Sequence, residues 1–195
     1  MNARVATFEG GKIETAAPFA GDAQATGTPE LVRELFVFAE KVRDRRLLVS
    51  IFDDESDIEP MMKRLNKLED DVEEERRGHR TMVETYEVII REVSGQPKHA
   101  LMTWTELPTE IIDDVVEAVH SDLLSKVREL GEWRGALALA NRDTGAARFF
   151  TFYDDLETAN LRSPRLEVDP SDLLPHDPAS MPQDEELTVA LRRQM

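Results

Sequence analysis

Near its middle the chain carries Ser94-Gly95-Gln96-Pro97, a run that suits neither a helix interior nor a paired strand. The strand and helix signals stop there and start again beyond it, so the fold has to be assembled from two successive pieces. Before the break, Ala3 to Phe8 alternates small or apolar with polar side chains and is closed by Gly10 and Gly11, which predicts a strand and a turn. After it, Ala100 to Leu107 predicts a matching strand. Thr7, Phe8 and Glu9 in the first correspond to Thr103, Trp104, Thr105 and Glu106 in the second.

The first piece continues with Lys12 to Gly27, rich in Ala, Gly, Thr and Pro and without a periodic face, which predicts a loop. Thr28, Pro29 and Glu30 supply a cap, a preset φ and an acid at the dipole's positive end, predicting a helix striped by Leu31, Leu35, Phe38 and Val42 and ending near Arg43. Leu47 to Phe52 is too short for a helix and predicts a buried strand. Ser56 and Glu59 form a capping box for a second helix, with Ile58, Met61, Met62, Leu65 and Leu68 inward. Glu69 to Arg77 is a charge run without the loop spacing of a calcium site, and it reads as a solvated helix end or loop. Thr81 to Val93, rich in β-branched residues, predicts a strand.

In the second piece Thr109 is expected to cap a long helix striped by Ile112, Val115, Val116, Val119, Leu123, Val127 and Leu130 and ended by Gly131. Arg134 to Ala140 and Arg148 to Tyr153 predict a hairpin around Asn141 to Gly145, and Asp154 to Leu161 begins another helix. From Arg162 onward the chain holds five of its ten prolines. That tail is expected to be an arm that docks through Leu166, Val168, Leu173 and Leu174, with LTVALRR as one short terminal helix.

Composition narrows the function. A formal charge of −16 repels phosphate backbones, so nucleic acid is not an expected partner. The absence of cysteine excludes disulfides, thiolate metal sites and cysteine nucleophiles. No apolar run reaches the roughly 18 residues of a membrane span, and the N-terminus lacks a signal pattern, so a cytoplasmic protein with no membrane partner is expected. Phosphate loops, nucleophile elbows and zinc-protease motifs are missing. His120 faces with Leu124 rather than with an acid and His79 sits among arginines, so both read as surface histidines, and no metal site is expected.

Three stretches carry a family resemblance: Gly131 to Leu137 with Asn141 to Gly145 and Phe152 to Asp155; Ile51 to Asp57; and Arg80 to Val88. Their order resembles the antibiotic-biosynthesis-monooxygenase-like family of dimeric α+β barrels, over about residues 2 to 161. The resemblance implies an α+β fold of two ferredoxin-like units with antiparallel sheets facing each other. The first unit, 1–95, lacks a second strand and the second, 98–161, lacks its closing helix and strand, with 162–195 as the Pro-rich acidic arm. Missing strands favour exchange between chains, hence a homodimer over a pseudo-dimeric monomer.

Haem-degrading members of that family resemble one another in an Asn, a Trp and a His; here Thr7 and Thr103, then Phe52 and Tyr153, stand at the first two places and no histidine aligns. No cofactor is therefore expected. The resemblance implies a small-molecule binding or sensing protein that takes an apolar or aromatic ligand. The alternative is a cofactor-independent monooxygenase of polycyclic phenols, with Arg80, Tyr86 and Trp104 as the catalytic candidates, because such a site needs a base or cation beside an apolar slot. A structural or partner-binding role through the acidic surface and tail is the third reading.

Overall fold

Strand pairing accounts for most of the described residues of the computed structural model, which are 1–10, 32–40, 44–54, 59–60, 62–63, 66–67, 78–128, 133–155 and 183–194. The described strands are β1 (Asn2–Glu9), β2 (Val32–Glu40), β3 (Arg45–Phe52), β4 (His79–Val93), β5 (His99–Glu106), β6 (Trp133–Ala140), β7 (Ala146–Tyr153) and β8 (Gln183–Gln194). Between β5 and β6 lie a 3-10 turn at Thr109–Ile111, α1 (Ile112–Ala118), a π-turn at Val119–Leu123 and α2 (Leu124–Arg128). No helix among the described residues is long and apolar enough to cross a membrane.

The chain divides into two compact units, Met1–Tyr86 with Thr188–Met195, and Glu87–Leu187. In the first unit neighbouring strands follow the order β4, β1, β3, β2, β8; in the second the order is β8, β5, β7, β6, β4. These orders are one pattern used twice. Thr7 pairs with Leu47 and Leu47 with Phe38, as Trp104 pairs with Arg148 and Arg148 with Leu139. The β-bulge between Val32 and Glu34 recurs between Trp133 and Gly135. The step between the Val189 and Leu191 pairings to β2 recurs between the Val88 and Ile90 pairings to β6. Even an ion pair is repeated: Arg33 with Asp53, and Arg134 with Asp154.

The structure corrects several expectations. Val32–Glu40 is a strand where a helix over 28–43 was expected, so the first unit has its second strand. Nearly every residue of β2 is buried, on both faces, and such a strand shows no polar alternation; the i, i+4, i+7 spacing of Leu31, Leu35 and Phe38 was a coincidence of an apolar run. LTVALRR lies inside β8 rather than in a helix, so the end of the tail is a strand. Thr109 does not cap the helix; it opens the 3-10 turn, which has no side-chain cap.

Val119 and Leu124 both pack on the sheet with Ile90, Ala136 and Ala138. They are five apart, because the π-turn adds a residue and moves the stripe one place past its expected continuation at Leu123, whose side chain is outside the described ones. Ile112, Val115 and Val116 face the sheet as expected, against Leu107 and Ala140. Glu59, Pro60, Met62, Lys63, Asn66 and Lys67 are helical. The predicted loop at 12–27, the Ser56 cap, the charge run 69–77, most of the expected helix at 154–161 and the docking residues of the arm lie outside the described residues.

Two side chains test this packing. Gly135 sits in its bulge with φ of +139°, and a Cβ there would lie 1.8 Å from the Glu92 carbonyl oxygen of β4. Gly135→Ala is expected to cost about 2–3 kcal/mol, since that backbone region is nearly closed to other residues, and to lower the melting temperature by roughly 5–10 °C. Tyr153 is fully buried, and its hydroxyl makes no hydrogen bond of normal geometry among the described residues. Burial pushes its pKa above the ordinary value, with the nearby Thr151 hydroxyl opposing only in part. The unfolded chain then releases this proton first, so the contribution to stability is complete below about pH 10 and is lost as pH rises through the folded value. Urea unfolding at pH 8 and pH 10.5 should show a steeper alkaline loss for wild type than for Tyr153→Phe.

Candidate functional site

In the second unit α1 and α2 cover one face of the sheet, through Ala136, Ala138 and Ala140 of β6 and Phe149 of β7. Side chains alternate along strands, so the intervening residues form the opposite face. Its rows are set by register: Trp104 beside Arg148 and Leu139, Met102 beside Phe150 and Leu137, Ala100 beside Phe152. Phe150 and Phe152 stack with ring centroids 6.5 Å apart. Three polar side chains stand on this apolar ground. Trp104 Nε1 donates to Glu185 Oε1 of β8 at 3.2 Å, and the Arg148 guanidinium reaches Met102 Sδ at 3.9 Å. Glu185 is buried and Arg148 nearly so, whereas Trp104 is half-buried.

The first unit repeats the plan with different residues. Ala6, Phe8, Leu35, Val37 and Leu48 make one face, against which Val83 of β4 packs. The other face holds Thr7, Leu47 and Phe38 in one row and Val5, Val49 and Phe36 in the next. Phe36 and Phe38 stack at 5.7 Å. The Arg192 guanidinium lies 5.7 Å from the Phe36 ring centroid, and its Nε donates to Glu34 Oε1 at 2.6 Å. That ion pair is enclosed, with side-chain exposures of 3% and 0%. Thr7 is buried, and its hydroxyl finds no hydrogen-bond partner among the described residues.

The three sequence candidates fall in separate places. Tyr86 is buried on β4 and its hydroxyl donates to the Glu84 carboxylate; both project opposite Val83, toward the face of Thr7 and Phe36. Arg80 is half-buried, and its guanidinium donates to Asn66 Oδ1 at 3.1 Å, an oxygen that also accepts from Arg4 at 3.1 Å. Arg80 and Tyr86 share a strand but are six residues apart, roughly 20 Å at about 3.3 Å per residue. Trp104 belongs to the second unit.

Glu84, Glu185, Arg148, Glu34 and Arg192 escaped the sequence reading. Register also revises one correspondence made there: Trp104 stands where the first unit has Thr7, and Arg148 where it has Leu47. Thr7 and Thr103 are not equivalent. Among the described residues no group of three or more His, Asp or Glu is placed to hold a metal. His79 and His120 are exposed, and His99 alternates away from the Trp104 face.

No family model matches the sequence, and no curated protein matches it. Solved structures do share the fold. A candidate monooxygenase from Fusobacterium nucleatum matches 99% of this chain and 94% of its own at a TM-score of 0.73, with 16% identity. An anthrone oxidase-like protein matches 99% and 92% at 0.64, with 11% identity. A ferredoxin-fold protein from Listeria monocytogenes, described as related to antibiotic biosynthesis monooxygenases, matches 97% and 95% at 0.57, with 8% identity. The chain is α+β and has the fold of these monooxygenase-like proteins, the one its motifs resemble.

The enclosed Glu34–Arg192 pair can be tested separately from any ligand. Arg192→Leu is expected to cost about 3–5 kcal/mol, because it strips the guanidinium from a carboxylate that stays buried. Glu34→Leu combined with Arg192→Leu should recover most of that loss in denaturant unfolding, since no charge is then left inside.

Proposed function

We propose that this protein binds a small, flat apolar or aromatic molecule on the Trp104 face of its second unit. The observation that carries the reading is the composition of that face: stacked phenylalanines, Met102 and leucines, with Trp104, Glu185 and Arg148 as its convergent polar groups. Ligand sites are typically clefts lined by apolar side chains, with a few fixed polar groups that set orientation. Trp104, half-buried and held by Glu185, offers a ring on which a planar ligand stacks. Arg148 offers a cation for an acidic hydroxyl or carboxylate on the same ligand.

A second reading, cofactor-independent oxygenation of a polycyclic phenol, is favoured by the hydrogen bond that fixes Glu84 against Tyr86. A carboxylate held beside an apolar face is a base placed for proton abstraction. The substrate anion would then reduce dioxygen, one oxygen atom becoming a ring carbonyl and the other leaving as water. The likeness to an anthrone oxidase-like structure supports testing that class of compound first.

Binding is measured by tryptophan fluorescence in a Trp133→Phe background, because Trp104 and Trp133 are the chain's two tryptophans. Titration with an anthrone is expected to quench Trp104 saturably, and Arg148→Ala is expected to raise Kd at least tenfold. Absence of saturable quenching across a panel of bi- and tricyclic phenols would overturn the binding proposal.

A further inference from the structure

Equivalent arginines of the two units meet different surroundings. On β8 Arg192 stands three residues past Val189 and pairs with Phe36; on β4 Arg91 stands three residues past Val88 and pairs with Leu137, so Arg91 is the second unit's counterpart of Arg192. Two residues before Phe36 comes Glu34, whose carboxylate accepts from Arg192 Nε at 2.6 Å. Two residues before Leu137 comes Gly135, in the matching bulge. At this place the second unit keeps the guanidinium and carries no side chain opposite it. Nor does the backbone admit one: Gly135 has φ of +139°, and a Cβ there would lie 1.8 Å from Glu92 O, so the position cannot supply the carboxylate that its counterpart supplies.

Arg91 belongs to the Trp104 face. Ile90 packs on the helix-covered side with Ala136 and Ala138, so the next residue projects to the other side, and Arg91 stands directly opposite Leu137 in the row that continues through Phe150 and Met102. The neighbouring row holds Leu139, Arg148 and Trp104. With strands ~4.8 Å apart and a two-residue step of ~7 Å, the Arg91 backbone is ~12 Å from that of Arg148 and ~16 Å from that of Trp104. The long arginine side chain closes much of the second gap, and what is left matches a molecule of two fused rings lying over Phe150 and Leu137. Arg192 is buried with its glutamate, whereas Arg91 is half-buried.

We propose that the second unit takes planar aromatic carboxylates, the ligand's carboxylate occupying the place that the Glu34 side chain fills in the first unit and accepting a paired hydrogen bond from Arg91 while its rings stack on Trp104. A guanidinium has five N–H donors in a planar fork, enough to hold a carboxylate in addition to a neighbour within the chain. All the residues involved lie in the second unit, Glu87–Leu187. The proposal names the ligand class of the binding reading and rests on it.

Isothermal titration calorimetry of the full-length chain with naphthalene-2-carboxylate and with naphthalene-2-carboxamide, its neutral counterpart, varies the charge at nearly constant ring area. The acid is expected to bind at least tenfold tighter than the amide. Arg91→Gln should raise Kd for the acid at least tenfold and leave Kd for the amide within threefold, the second result showing that the variant is folded. Arg91→Lys, which keeps the charge but not the fork, should restore part of the preference. Equal affinity of wild type for acid and amide, or a phenol that binds where the acid does not, would overturn the carboxylate assignment and leave the binding reading standing. A preference for the acid that survives Arg91→Gln would do the same, its loss in Arg148→Gln then moving the carboxylate to Arg148, and so would equal weakening of both compounds by Arg91→Gln. If neither compound nor any of the bi- and tricyclic phenols binds, the binding reading falls and this inference with it.

Discussion

The pairing of β2 with β8 is the constraint on which the first unit depends. Almost every residue of β2 is buried, so its backbone N–H and C=O groups have no water to turn to and must be paired along both edges. β3 serves one edge from Glu34 opposite Ile51 to Glu40 opposite Arg45. The other edge is served by residues from the end of the chain, from Gln194 opposite Glu34 to Thr188 opposite Ala39. The Glu34–Arg192 pair holds that arrangement in register. A slip of one residue would turn Arg192 to the other face and leave the enclosed carboxylate without that guanidinium.

On this frame, the two units carry different chemistry at matching places. Where the first has Thr7 and Leu47 the second has Trp104 and Arg148; where the first has Glu34 the second has Gly135. An assembly of identical chains cannot vary one half alone, because each substitution appears in every copy. Joining two units in one chain removes that restriction. The polar groups also stand on rows of phenylalanine, leucine and valine, and a low local dielectric strengthens each interaction they make.

How far the architecture could be read in advance depended on where the signal resided. The β6–β7 hairpin was legible because Asn141 to Gly145 carries its own turn chemistry, with Gly145 at φ of +77° and Leu107 O close against it. β4 was legible from its β-branched residues, and the α1 stripe from its period. β2 was not, since burial on both faces erases the alternation by which a strand is recognised. β8 was not either: with Glu185, Glu186, Arg192 and Arg193 among its twelve residues its longest apolar run is Val189 to Leu191, too short to mark a strand, and it is one because β2 needs a neighbour.

The candidate sites divide along the same line. Tyr86 and Trp104 could be singled out from the sequence as aromatic side chains on strands, and Arg80 as a cation on the same strand as Tyr86. Their partners could not, except where chain and strand coincide as in Glu84 and Tyr86, two residues apart. Trp104 meets Glu185 across 81 residues of sequence, and Arg192 meets Glu34 across 158. What the sequence by itself determined was local: turns, most of the strands, a helix face, a chain in two pieces and the motifs of a fold. Which carboxylate each aromatic donor meets was decided by the tertiary structure, because strand register is set by the burial of whole faces, and no residue specifies that alone.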